Sequence, residues 1–94
     1  MNENQQILNE IFLRNKVKGK YKFDYNLSKH SWFGVGGNAE IFYIPSSFEE
    51  LQLVLAAKEE DIDVTVIGLG SNIIIRDGGI PGLVIRLGLS LIHI

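Results

Sequence analysis

The stretch from residue 39 to residue 67 limits the fold more than any other part of the chain. Ala39-Glu40-Ile41-Phe42-Tyr43-Ile44 is rich in β-branched and aromatic residues and is stopped by Pro45, which predicts a strand. Ser46 and Ser47 each carry a glutamate three residues on, Glu49 and Glu50, the spacing at which a capping pair satisfies free NH groups at a helix start. Phe48, Leu51, Val54 and Leu55 supply a buried face, and Glu59-Glu60-Asp61 sets acids against the helix dipole, so the helix is expected to stop near Asp61. Val64-Thr65-Val66-Ile67 is then a short β-branched strand. Strand, helix and strand make a βαβ unit, whose crossover should be right-handed.

Other segments add to this unit. Ile73-Ile74-Ile75-Arg76 and Leu83-Val84-Ile85-Arg86-Leu87 predict strands that extend the sheet, separated by turn chemistry at Asp77-Gly78-Gly79 and Pro81-Gly82. Before them, Ile7, Leu8, Ile11 and Phe12 recur at helical spacing between Glu3 and Asn15 and predict an amphipathic helix. Lys16, Lys18, Lys20 and Lys22 alternate along an extended segment, which puts the lysines on one side, as a solvated face or as a phosphate-facing patch. The fold class is α+β, an α/β-like βαβ unit with additional strands.

At 94 residues the chain is about one small domain. Nine Lys plus Arg against eleven Asp plus Glu give a net charge of -2, which supplies no global field for nucleic acid. The absence of cysteine excludes a disulfide framework, a thiolate metal site and a cysteine nucleophile. The first residues lack the basic region and apolar run of a signal peptide, and no run of 18 apolar residues occurs. The expected location is the cytoplasm, with no membrane, nucleic-acid or protein partner.

Two glycine motifs invite a nucleotide. Gly34-Val35-Gly36-Gly37-Asn38-Ala39 matches the dinucleotide fingerprint in spacing, but a strand follows where that motif needs a helix. A tight turn, or contact with a cofactor held by other parts of the fold, remains for it. Gly68, Leu69, Gly70, Ser71 and Asn72 also lack a following helix and the lysine of a P-loop. Two glycines around one residue nevertheless let successive NH groups face one concavity, with a hydroxyl and a carboxamide adding donors. Such a nest suits a pyrophosphate; an ordinary glycine-rich turn has the same composition.

Three stretches occur together in order: Asn26-Leu27-Ser28-Lys29-His30-Ser31-Trp32-Phe33 running into Gly34 to Ala39, Pro45-Ser46-Ser47-Phe48-Glu49-Glu50-Leu51, and Ile67 to Asn72 running through Asp77-Gly78-Gly79-Ile80-Pro81-Gly82 to Leu87. Together they resemble the N-terminal part of the UDP-N-acetylenolpyruvoylglucosamine reductase (MurB) family. The resemblance implies the first lobe of a FAD-binding domain of the PCMH type, shared with vanillyl-alcohol oxidase. It implies that Gly68, Leu69, Gly70, Ser71 and Asn72 hold the FAD pyrophosphate, with the turn from Gly34 to Asn38 approaching the flavin. It further implies NADPH as co-substrate, a UDP-sugar substrate and a role in peptidoglycan synthesis. The family's catalytic serine, arginine and glutamate, and its substrate domain, lie beyond the matched region, so no residue here is assigned a catalytic role.

The expected organisation is a helix and basic lead-in at residues 1–25, the N-terminal part of the FAD-binding domain at 26–88, and a tail at 89–94. Leu89-Ser90-Leu91-Ile92-His93-Ile94 departs from the family pattern and reads as a translated sequencing adapter, a non-native tail; a strand continuation is the other reading. Neither histidine has partners at metal-ligand spacing, and no metal site is expected. His30 reads as an exposed loop residue or a flavin or substrate contact, Trp32 and Phe33 as core or as flavin-stacking residues, and Arg76 beside Asp77 as a turn-flanking charge pair or a catalytic dyad. A fragment of another PCMH-type flavoenzyme, or a non-catalytic phosphate-binding or assembly module, are the competing functions.

Overall fold

The structure, a computed structural model, describes residues 1–26, 38–58, 60–67 and 80–87. The elements run α1 (Glu3–Arg14), β1 (Lys20–Asn26), β2 (Asn38–Ile44), α2 (Phe48–Ala57), β3 (Val64–Ile67) and β4 (Ile80–Arg86). The four strands form one mixed sheet in the order β1-β2-β4-β3, with β1 antiparallel to β2 and β4 parallel to both of its neighbours. The α+β class therefore holds.

Both helices cover one face of this sheet. Leu8, Ile11 and Phe12 of α1 and Val54 of α2 are buried with Ile41, Tyr43, Leu83 and Ile85 from β2 and β4, and Ile62 joins them. Phe12 stacks on Tyr21 at a centroid distance of 4.2 Å and also meets Phe23 and Tyr43. On the opposite face Ala39, Phe42, Ile67 and Val84 make a second cluster, with Tyr25 and Ile44 against it.

Helix α1 begins with a capping box: the Asn2 side chain accepts from the Gln5 NH at 2.8 Å, and Gln5 Oε1 accepts from the Asn2 NH at 2.9 Å. At its other end Val17 NH donates to the Phe12 carbonyl and Lys16 NH to that of Leu13, a Schellman closure with Lys16 in the left-handed region at φ 50°.

The faces of β1 switch at Asp24. Tyr21 and Phe23 point to the helices, whereas Tyr25 packs on the opposite cluster, because Asp24 takes φ 52° and breaks the two-residue alternation. Across from it β2 and β4 also slip: Ala39 pairs with Ile80 but Ile41 with Leu83, so Pro81 and Gly82 oppose Glu40 alone. Proline has no NH for the ladder, and the Gly82 NH is diverted to Glu40 Oε2 at 2.8 Å. Gln5 Nε2 reaches the same region, donating to Asp24 Oδ1 at 3.0 Å and to the Glu40 carbonyl at 2.9 Å.

Several expectations are corrected. Of the two added strands expected, the described one, β4, does not extend the sheet beyond the βαβ unit: it inserts between β2 and β3, so the crossover skips one strand position. Pro81 and Gly82 belong to β4 rather than to a turn, for the bulge accommodates both. Helix α2 ends at Ala57, not near Asp61, because the chain turns extended at Lys58 and brings Ile62 beneath the core. Its buried face is narrow: Val54 is buried and Leu51 partly so, while Phe48 and Leu55 are 41% and 37% exposed. The expected strand at residues 73–76 and the tail at 89–94 lie outside the described residues.

Candidate functional site

The predicted cofactor-binding residues Gly68, Leu69, Gly70, Ser71 and Asn72 lie outside the described residues, as do Gly34 to Gly37, His30, Trp32, Phe33, Arg76, Asp77 and His93. What the structure supplies is the frame from which residue 68 departs. Strand β3 ends at Ile67, which pairs with Arg86, and the Leu87 NH continues the ladder to the Ile67 carbonyl at 2.9 Å. Because β2, β3 and β4 are mutually parallel, their carboxyl ends at Ile44, Ile67 and Arg86 share one edge of the sheet. Ligands of open α/β sheets sit outside that edge, where loops diverge and NH groups are unclaimed.

The helix that follows β2 is anchored at this same edge. Ser47 caps α2, its Oγ accepting from the Glu50 NH at 3.1 Å. The Glu50 carboxylate accepts from the Lys18 NH at 2.7 Å, the Gly19 NH at 3.2 Å, the Ser46 NH at 3.0 Å, the Ser46 hydroxyl at 2.8 Å and the Tyr43 hydroxyl at 2.7 Å. Burial raises its pKa, but the bonds from Ser46, Tyr43 and Lys18 outweigh burial and hold it down at about 2. A carboxylate with its lone pairs so claimed is a poor proton acceptor. Its role is to tie elements together. Gly19 permits this approach, since a Cβ there would run into the Ile44 carbonyl oxygen and the Glu50 carboxylate.

On the face away from the helices, a cavity of about 290 Å³ is lined by Lys20, Lys22, Tyr25, Phe42, Ile44 and Arg86. Tyr25 and Phe42 stack at 4.8 Å with 15° between their planes, and Lys22 Nζ lies 5.5 Å from the Tyr25 ring centroid. The alternation of Lys20 and Lys22 was legible in the sequence. Arg86 carries no such signal beyond its place in a strand, since nothing local says that β4 lies two strands from β1. Among the described residues there is no group of three His, Asp or Glu able to hold a metal, and no helix is long and apolar enough to cross a membrane.

No family model matches the chain. Curated proteins do. The chain is 56% identical over 72 residues to UDP-N-acetylenolpyruvoylglucosamine reductase of Rickettsia prowazekii (strain Madrid E), which covers 77% of this chain and 24% of that protein. It is 54% identical over 78 residues to the protein of the same name from Rickettsia canadensis (strain McKiel), 83% of this chain and 26% of that protein. The namesake from Rickettsia rickettsii (strain Sheila Smith) is 56% identical over 72 residues, again 77% and 24%. Over the residues that align, the chain belongs to the UDP-N-acetylenolpyruvoylglucosamine reductase family, and it spans about a quarter of the length of these curated relatives.

Proposed function

We propose that this chain is the first part of a cytoplasmic, FAD-dependent oxidoreductase of peptidoglycan synthesis, one that uses NADPH to reduce the enolpyruvyl group of a UDP-N-acetylglucosamine ether to UDP-N-acetylmuramate. The observation that carries the reading is the identity of 54% to 56% with relatives named as reductases of UDP-N-acetylenolpyruvoylglucosamine. The residue types suit FAD: Gly68 and Gly70 carry no Cβ to shield an NH group, Ser71 brings a hydroxyl and Asn72 a carboxamide, and in sequence they come directly after the end of β3. In this reading they and the NH of Leu69 hold the pyrophosphate, within the first lobe of a PCMH-type domain at residues 26–88. The flavin supplies two-electron transfer when bound. The chain's own contribution is binding and orientation; the proton donor and the substrate domain lie beyond it, so the chain alone is inactive.

The test replaces the matching segment of the Rickettsia prowazekii protein with this chain's aligned residues and measures bound flavin by absorbance. Gly70→Val should lose FAD, Leu69→Ala should retain it, and Asn72→Ala should weaken binding by about 1 to 3 kcal/mol through one lost polar contact. Retention by Gly70→Val with loss by Leu69→Ala would exclude a backbone nest. Turnover of the enolpyruvyl substrate by the 94-residue chain above that of free FAD would sink the claim that it is inactive.

A further inference from the structure

We propose that the cavity bounded by Lys20, Lys22 and Arg86 is an anion site for a diphosphate group, separate from the glycine loop at residues 68–72. Three cations from two strands line it, and no described acidic side chain does, although the chain as a whole carries a net charge of -2. Local charge of one sign against the global balance is what an anion-binding surface requires.

The register explains how the cations converge. Lys20 pairs with Ile44, and Ile85 pairs with Tyr43, so Lys20, Ile44 and Arg86 form a row across three adjacent strands. Two inter-strand spacings separate Lys20 and Arg86 by about 10 Å at the backbone, a gap that two long side chains close upon a group the size of a diphosphate. Lys22 follows Lys20 on the same face, its ammonium held over the Tyr25 ring, which fixes one charge before any ligand arrives. The guanidinium of Arg86 presents paired NH donors to phosphate oxygens. Ile44 and the stacked Tyr25 and Phe42 form an apolar floor that lowers the local dielectric and strengthens each contact. The row also lies at the carboxyl edge of the parallel strands, the usual position for phosphate-bearing ligands in such sheets.

The experiment titrates the 15N-labelled 94-residue chain with inorganic pyrophosphate at low ionic strength and follows the backbone amides. Saturable shifts at Lys20, Lys22 and Arg86, weakened by added salt, are expected. Lys20→Gln and Arg86→Gln should each reduce affinity about tenfold. Lys20 is exposed, so its replacement tests the site without endangering the fold. ADP run in parallel identifies the source: tighter binding than pyrophosphate assigns a nucleotide, equal binding a free diphosphate, and either supports the site. Shifts that never saturate, shifts confined to Lys16 and Lys18, or unchanged affinity in both variants would overturn it, as would the lack of any response. Gly70→Val separates this site from the loop. If that variant abolishes the pyrophosphate response, the anion sits on the loop and the cavity proposal fails while the loop reading stands. If the response survives while FAD is lost, both hold; if FAD also survives, only the cavity holds.

Discussion

The hydroxyl of Tyr43, a fully buried residue of β2, donates to Glu50 Oε2 in the first turn of α2 at 2.7 Å. The same carboxylate collects the NH groups of Lys18, Gly19 and Ser46, so the entry to β1, the exit from β2 and the start of α2 meet at one side chain. Replacing Glu50 with Gln removes the charge and one acceptor oxygen while leaving its size. A loss of about 1 to 3 kcal/mol is expected by urea unfolding, since several charge-assisted bonds weaken together. Tyr43→Phe should cost less, about 0.5 to 1.5 kcal/mol, because Glu50 keeps its other donors.

That carboxylate also sets an acid limb. Its folded pKa of about 2 lies below the ordinary value of 4.5, so the ionised form is favoured by folding. The stabilisation is complete above pH 4.5 and is lost as pH falls towards 2. Burial, followed by the hydrogen bond to Glu50 and its charge, pushes the Tyr43 hydroxyl well above the usual tyrosine range. Urea midpoints measured across the acid range should fall less steeply in Glu50→Gln than in the parent chain; parallel curves would show that other carboxylates govern this limb.

Lys16 closes the Schellman motif of α1 at φ 50°, a conformation that costs a residue with a Cβ and is open to glycine. Its side chain is exposed. Lys16→Gly should therefore stabilise the chain by about 0.5 to 1 kcal/mol, despite the general cost of glycine, and thermal unfolding would register the rise.

Gly82 stands at φ 79°, and a Cβ there would strike the Asp63 carbonyl oxygen, which already accepts from the Leu83 NH at 2.8 Å. Gly82→Ala combines backbone strain with a clash against backbone that has a bond to lose. A loss of about 2 kcal/mol or more is expected, with hydrogen exchange rising first at Leu83.

Gln5 is 2% exposed and bonds to Asn2, Asp24 and the Glu40 carbonyl. Gln5→Leu fits the volume but strands those partners, so a loss of about 1 to 3 kcal/mol is expected together with freer exchange at Asp24 and Tyr25.

The sequence made the local elements legible. The strand through Ile41 and Tyr43, the serine cap of α2 and the periodicity of α1 are written in neighbouring residues, where propensity and capping act. The place of β4 was not, because strand order depends on contacts between residues far apart in the chain. Pro81 and Gly82 are ambiguous in the sequence for a related reason: their turn chemistry is also what a bulge demands, and only Glu40 across the sheet decides between the two. Helix α2 has an apolar stripe, but periodicity does not tell how much of it the sheet will cover, and Leu53 is 56% exposed. For the site, residue types alone suggested the glycine nest, whereas the meeting of Arg86 with the lysines arose only from topology.

The insertion of β4 between β2 and β3 also bears on how the chain is made. When Val64 to Ile67 leave the ribosome, β4, their hydrogen-bonding neighbour among the described residues, has not yet been synthesised, and the chain must run on to Ile80 before that pairing begins. At about 5 to 20 residues per second the wait is of the order of a second, long compared with hydrophobic collapse. During that interval a β-branched strand waits beside β2, the wrong partner for it. Nascent chains halted before residue 80 should thus engage holding chaperones, and those extended past Arg86 should release them.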